Sequence, residues 1–406
     1  MPYSIIEIET TQTLPTLMLS EAENGVALIV RRNGRPIGFM MRSLPSTQTV
    51  APDELAQWIA QAVGTKLIQE SLKEELLPPI AQPSFPSVTV AICTKDRPDY
   101  LARCLETLLQ LQLDGQPSPR FEIVVVDNAP SNEQTKEQVD LLPTVRYTRE
   151  PRPGLDFARN RAVQEATGEI LAFLDDDVTV DRHWLDGLME AWAENSDAAA
   201  FTGLVLPYEL VTEAQILFEQ RGGFRRGFEK IRYGQALKGS SLYPCGAGIF
   251  GAGCNMAFRR EILLKLGGFD EALDTGAPLP GGGDLDMFYR VIRAGYPLVY
   301  EPRYLVFHQH RRDTKQLRRQ YWSWGLGLMA FVVKSSRTDA SRRVQFFRLV
   351  LFWFQTLIQQ LFRSVRGRHT LPPDFILAEL WGSVVGLLGA YSRSVRRTET
   401  IRKQFS

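Results

Sequence analysis

From residue 88 onward, short apolar runs alternate with longer stretches whose apolar positions recur every three or four residues. Val88-Thr89-Val90-Ala91-Ile92-Cys93, Phe121-Glu122-Ile123-Val124-Val125-Val126 and Glu169-Ile170-Leu171-Ala172-Phe173-Leu174 read as strands buried on both faces. Residues 98–111 and 156–167 read as the helices between them, and Leu298-Val299-Tyr300 through Val306-Phe307 as a later strand. Alternation of this kind implies right-handed βαβ units, so the expected class is α/β: a Rossmann-like, mostly parallel sheet flanked by helices. Upstream, residues 26–41 alternate around Asn33-Gly34, a hairpin signal, and 52–76 follows as a helix. These two elements suggest a small α+β module over residues 1–77. Pro78, Pro79, Pro83 and Pro86 then mark a stiff linker at 78–87, ahead of a main domain at 88–315 and a helical region at 316–406.

The helical region has its own pattern. Gln345, Arg348, Gln355, Gln359, Arg363 and Arg366 fall on one stripe, with Phe346, Leu349, Phe352, Trp353, Leu357 and Leu361 among the residues on the remainder. That is too polar for a bilayer span, which needs about 20 apolar residues, and fits an interfacial amphipathic helix instead. Residues 375–391 form a second apolar stretch with Glu379 inside it, followed by Arg393, Arg396 and Arg397. Residues 340–406 hold eleven Lys/Arg against three Asp/Glu, a net +8 that leaves −7 on the remainder of a chain totalling +1. The expectation is peripheral contact with an anionic membrane surface; the alternative is a helical pair packed on the main domain or across a homo-oligomer.

Composition narrows the class further. With 44% hydrophobic and 23% charged residues in 406, the chain reads as globular with ample core, and a charge of +1 argues against bulk affinity for nucleic acid. Four cysteines without a CxxC pair, and a start without a basic-then-apolar leader, suggest a reduced, cytoplasmic protein at the inner face of the membrane.

The chemistry lies at the strand ends. Asp96, Asp127 and Asp175-Asp176-Asp177 each follow a predicted strand, and in a doubly wound sheet such turns share one rim. Three adjacent carboxylates are costly unless a cation compensates, and hard oxygen ligands favour Mg²⁺ or Mn²⁺. Downstream, Gly281-Gly282-Gly283-Asp284-Leu285-Asp286 puts two carboxylates at a helix start, where either can serve as a general base. His308 and His310, at i, i+2 after a strand, share a face, and His308 is the candidate imidazole ligand. Gly246, Gly248, Gly251 and Gly253 permit close backbone approach to a ligand, with Asn255 as a donor to it; Gly282 and Gly283 belong to the same cleft.

Taken in order, these residues resemble the inverting, metal-dependent family 2 glycosyltransferases of GT-A fold. The likeness runs over residues 88–313: the strand and acid of 88–99, the strand of 123–130, Gly154-Leu155-Asp156-Phe157-Ala158-Arg159-Asn160 leading to the 168–177 segment with its DxD motif, and 281–290. The resemblance implies a nucleotide-sugar donor with its base near Thr94, Asp96, Arg97 and Asp127, its sugar and ribose near Asp175 and Asp176, and its diphosphate near Arg159. It further implies Mn²⁺ or Mg²⁺ on Asp177, to which His308 is the imidazole candidate read from the strand end, a glycan or lipid-linked acceptor, and Asp284 or Asp286 as catalytic base. Gly283 departs from the family pattern, in which a Glu commonly precedes the Asp. Two rival readings remain: a sugar-phosphate nucleotidyltransferase, and an inactive sugar-nucleotide-binding protein.

Overall fold

The computed structural model describes residues 2–45, 47–76, 85–113, 121–236, 240–273, 276, 278–368 and 371–405. Most of the expected linker, including Pro78, Pro79 and Pro83, lies outside these residues.

The N-terminal module comprises β1 (Ser4–Glu9), β2 (Leu17–Met18), β3 (Gly25–Arg32), β4 (Arg35–Ser43), β5 (Thr49–Val50) and α1 (Pro52–Leu76). Its hairpin forms where expected: Asn33 and Gly34 both take positive φ, 47° and 75°, as a two-residue turn requires. One face of the β1-β3-β4 sheet is closed by Leu55, Trp58 and Ile59 of α1. The module docks through buried charge: Arg31, 1% exposed, pairs with Glu7 on one side and Asp181 of the main domain on the other. Arg35 likewise reaches the fully buried Glu301 at 3.2 Å. Buried pairs of this type fix orientation more than they add stability.

The main domain follows as β6 (Val88–Thr94), α2 (Pro98–Leu113), β7 (Phe121–Asn128), α3 (Gln134–Asp140), β8 (Val145–Glu150), α4 (Leu155–Glu165), β9 (Ile170–Asp175), β10 (Val178–Val180), α5 (Trp184–Glu194), β11 (Ala200–Pro207), α6 (Glu213–Gln220), β12 (Ile231–Tyr233), β13 (Asn255–Arg259), α7 (Arg260–Lys265), α8 (Gly283–Arg293) and β14 (Leu298–His308). They build a nine-stranded sheet, ordered β10-β14-β11-β13-β9-β6-β7-β8 with β12 beside β14. Following the pairings, β6, β7, β8, β9, β11 and β14 run one way and β10, β12 and β13 oppose them, so the expected mostly parallel α/β sheet is present.

Period-two alternation fills two cores from the same strands. Val90, Ile92, Ile123, Val125, Ala172 and Leu174 pack on one face, with Leu101 and Leu105 of α2 and Trp184 and Leu188 of α5. Ala91, Val124, Val126, Leu171 and Phe173 pack on the other, with Ala158 and Ala162 of α4 and Phe288 of α8.

The C-terminal helices are α9 (Thr314–Thr338), α10 (Arg343–Val365), α11 (Pro373–Val385) and α12 (Tyr391–Gln404). Helices α9 and α11 lie backbone against backbone: a Cβ on Gly325 would meet the Glu379 carbonyl, and one on Gly382 the Trp322 carbonyl. The 373–404 stretch is long and apolar enough to cross a membrane by length and composition. It bends, however, at Leu388 and Gly389, whose dihedrals are non-helical, and it packs on α9. Helix α10 divides the apolar residues beside its polar stripe between the protein and solvent. It buries Phe346, Leu349 and Leu357 yet leaves Val344, Phe347, Leu351, Phe352, Ile358, Phe362 and Val365 exposed, so it is apolar toward the protein and toward solvent.

Candidate active site

Strand register assembles the rim. Thr94 lies opposite Asp127 in the β6–β7 pair, and Cys93 opposite Asp175 in the β6–β9 pair, so the acids end at one level. Strand β10 pairs Val178 with His308, which brings β14 to the far side of the Asp triplet. The carboxyl ends of parallel strands thus line one crevice, as this topology dictates.

On the β6–β7 side, Asp96 takes φ 53° and its Oδ1 accepts from the Ser131 backbone N at 2.8 Å and hydroxyl at 2.9 Å. Asp127 is fully buried. Its Oδ2 accepts from the Tyr147 hydroxyl at 3.0 Å, its Oδ1 has no partner among the described residues, and burial raises its pKa. A buried acceptor without a donor is costly, so Asp127 Oδ1 keeps an unmet capacity to accept a hydrogen bond.

In the triplet, Asp176 accepts from Thr94 Oγ1 at 2.7 Å and from Arg97 at 2.9 Å. Burial, then the charge of Asp177, raises the pKa of both Asp175 and Asp176. Asp177 is 7% exposed and meets Arg97 at 3.3 Å and Arg311 at 3.8 Å through Oδ2. Its Oδ1 has no hydrogen-bond partner among the described residues and lies 3.3 Å from His308 Nε2. Burial pushes the His308 imidazole down to about 4, leaving it neutral.

Among the described residues no group of three or more His, Cys, Asp or Glu side chains forms a ready metal cage. Mg²⁺ or Mn²⁺ bound for phosphate chemistry needs only one or two protein donors, the other positions being phosphate oxygens and water. The orphaned Asp177 Oδ1 facing His308 Nε2 fits that pattern.

Across the crevice, Arg159 is buried beside the fully buried Asp156, 3.0 Å away, and its other nitrogen is 4.0 Å from Asp175. The Arg159 guanidinium sits against Gly253, whose N–H donates to Asp284 Oδ2 at 3.2 Å, while Leu285 N donates to Asp284 Oδ1 at 2.8 Å. Arg159 therefore lies near both Asp175 of the triplet and Asp284, whose charges act on it.

Gly282 takes φ 109° and abuts Gly327 of α9; a Cβ on Gly283 would collide with the Asp156 carboxylate. The Glu missing before Asp284 is thus a steric requirement of this chain, because Asp156 occupies that space.

Two sequence-derived assignments are corrected. Asp286 is fully buried, with Arg290 at 2.7 Å on one oxygen and Lys334 of α9 on the other, so it ties α8 to α9 and has no free oxygen for an acceptor. Asn255 is also fully buried: its amide nitrogen donates to the Tyr304 carbonyl at 2.8 Å and its oxygen accepts from Trp184 at 3.1 Å, which leaves nothing to give a ligand. Asp156 and Arg311 were not among the candidates. Asp156 stands in the first turn of a glycine-led helix, the one local hint, whereas Arg311 carried no signal beyond its nearness to His308.

Residues 89–267 match the family model described as glycosyl transferase family 2. The succinoglycan biosynthesis protein ExoM of Rhizobium meliloti is 30% identical over 219 residues, covering 53% of this chain and 64% of its own length. The glucosyl-dolichyl phosphate glucuronosyltransferase of Haloferax volcanii is 25% identical over 191 residues, covering 45% of this chain and 56% of its own. The pre-mycofactocin glycosyltransferase of Mycobacterium tuberculosis is 28% identical over 240 residues, covering 58% and 46%. The chain thus spans between 46% and 64% of the length of these relatives. A mannosyltransferase from Pyrobaculum calidifontis, solved with GDP-Man and Mn²⁺, is 16% identical with a TM-score of 0.47, over 81% of this chain and 97% of that one.

Proposed function

We propose, from the match of residues 89–267 to the family model described as glycosyl transferase family 2, metal-assisted, inverting transfer of a sugar from a nucleotide donor to an acceptor hydroxyl. The observation that carries this reading is one rim with three separate capacities. Asp127 offers a buried, unpartnered oxygen, Asp177 and His308 offer a two-donor cation site, and Asp284 offers a half-buried carboxylate beyond Arg159.

In this reading Asp127 accepts an N–H of the nucleotide base, and Thr94 and Arg97 hold Asp176 against the donor. Arg159 and Arg311 bring positive charge toward the diphosphate. Asp177 and His308 would hold a divalent ion, which when bound would supply positive charge against the leaving nucleoside diphosphate. Asp284 takes the proton of the attacking hydroxyl on the opposite side of the sugar, as inversion demands. Asp286 has no part in this step.

The test is incubation with UDP-, GDP- and dTDP-sugars and acceptor glycans, with and without Mn²⁺. Release of nucleoside diphosphate with glycosylated acceptor is expected. Pyrophosphate release would instead reveal a nucleotidyltransferase, and binding without turnover across the panel would leave a nucleotide-sugar-binding protein.

The acceptor we propose is lipid-linked, met at the inner face of a cytoplasmic membrane. Support comes from the outward row Phe347, Leu351, Phe362 and Val365 on α10, with Arg348, Arg363 and Arg366 exposed beside it, and from a relative named for a glucosyl-dolichyl phosphate substrate. Deleting the 316–406 helical region would remove most of α9 and its Lys334, so point variants are the better probe. Phe347→Ser/Leu351→Ser/Phe362→Ser is expected to abolish flotation with vesicles containing anionic lipid while leaving the melting temperature within a few degrees. Unchanged flotation would refute membrane contact through this face.

A further inference from the structure

Helix α8 gives one whole stripe to the C-terminal helices. Gly282, Asp286, Tyr289 and Arg293 recur at intervals of four, three and four residues, which sets them along a single side of the helix. At the start of that stripe the backbones of α8 and α9 touch. A Cβ on Gly282 would lie 2.9 Å from the Gly327 carbonyl oxygen, and one on Gly327 would lie 3.1 Å from the carbonyl carbon and oxygen of Gly281. One turn on, the fully buried Asp286 meets Lys334, which follows Gly327 by seven residues and so stands on the same side of α9.

The next turn of α8 is gripped as well. The Tyr289, Phe331 and Phe346 rings, one each from α8, α9 and α10, form a triangle with centroids 5.3, 5.7 and 5.8 Å apart. The Tyr289 hydroxyl donates at 2.7 Å to Asp339, which joins α9 to α10, and Arg293 donates to the same carboxylate oxygen at 2.7 Å.

The sheet holds α8 through Phe288, stacked on Phe258, and through Met287, Val291 and Ile292 in the core. Apolar burial is non-directional, whereas ion pairs and a backbone-to-backbone contact fix one rotation and one height of the helix. Asp284 is two residues from both Gly282 and Asp286, and so about 200° around the axis from either. Any roll of α8 against α9 swings its carboxylate away from the Gly253 N–H.

We propose that α9 is the support that aims the general base: Gly327 and Lys334 are positioning residues that fix the rotation and height of α8 and, with them, the place of the Asp284 carboxylate. The inference rests on the glycosyltransferase reading, in which Asp284 takes the acceptor proton, and makes the C-terminal helices part of the transfer machinery. Both residues act through α8.

Two variants test it. Alanine is a better helix former than glycine, so Gly327→Ala leaves α9 intact while its methyl group displaces Gly282, whose carbonyl accepts the first hydrogen bond of α8 from Asp286 N at 3.1 Å. Lys334→Met keeps side-chain length but removes the charge, leaving Asp286 to Arg290. Hydrogen–deuterium exchange read by mass spectrometry is expected to quicken about tenfold over the first two turns of α8 in both variants, with β6 and β9 unchanged. With the nucleotide sugar of the UDP, GDP and dTDP panel that the wild type uses, kcat per nucleotide-binding site is expected to fall about 10–100-fold, the cost of misplacing a reacting group by about 1 Å. Nucleotide-sugar and Mn²⁺ affinities stay at their wild-type values.

A merely structural contact would lower the melting temperature and leave kcat per binding site untouched. That result, or wild-type exchange over α8 in both variants, would overturn the proposal. Should Lys334→Met fail to fold, Gly327→Ala decides alone. Absence of sugar transfer by the wild type, with exchange quickened as expected in the variants, would defeat the functional reading while leaving the anchoring of α8 on α9 standing.

Discussion

Asp284→Asn lowers acceptor-dependent release of nucleoside diphosphate by about 10²–10⁴-fold, the usual contribution of a positioned general base, and leaves nucleotide affinity unchanged. The expectation follows from geometry. Asp284 is half-buried at the start of α8, held by Gly253 N–H and its own first turn, on the far side of Arg159 from the triplet. Asparagine preserves that size and, through its amide oxygen, one of the two backbone hydrogen bonds, while its NH₂ replaces the other acceptor, so the proton-accepting oxygen is lost together with one hydrogen bond. Kinetics with donor and acceptor varied separately check it. Turnover within about threefold of wild type would remove Asp284 from the chemistry, and the buried, ion-paired Asp286 could not replace it.

Asp177→Asn is the second large effect. It replaces the orphaned oxygen at the cation site and weakens the charge that attracts Arg97 and Arg311. Transition-state stabilisation of several kcal/mol is expected to vanish, a fall of at least about 10³-fold in kcat/KM, with no recovery on raising Mn²⁺ to tens of times the wild-type optimum. A variant that keeps its turnover and its Mn²⁺ dependence would show that the cation, if bound, sits elsewhere. The two variants are distinguishable: Asp284→Asn retains Mn²⁺ binding, Asp177→Asn loses it.

The Asp triplet and the His pair were legible because each follows an apolar run whose strand character is local. What each side chain meets was not. Asp284 and Asp286 look equivalent in Gly281-Gly282-Gly283-Asp284-Leu285-Asp286, yet two residues along a helix turn the side chain by about 200°. One carboxylate thereby faces Gly253 and the other Lys334, forty-eight residues downstream. Asn255 misled for the same reason: a glycine-rich approach suggested a ligand donor, but β13 inserts it between Trp184 and Tyr304.

The sequence by itself determined the α/β alternation, the Asn33-Gly34 hairpin and the row of acids at strand ends, because apolar period and turn chemistry act over a few residues. Tertiary structure alone decided that Asp156 fills the space beside Gly283, that Glu219 stands behind His310, and that α10 keeps an apolar face outward. Those facts depend on which distant surface packs where, and burial and pairing across long separations are fixed only when the sheet closes and the helices dock upon it.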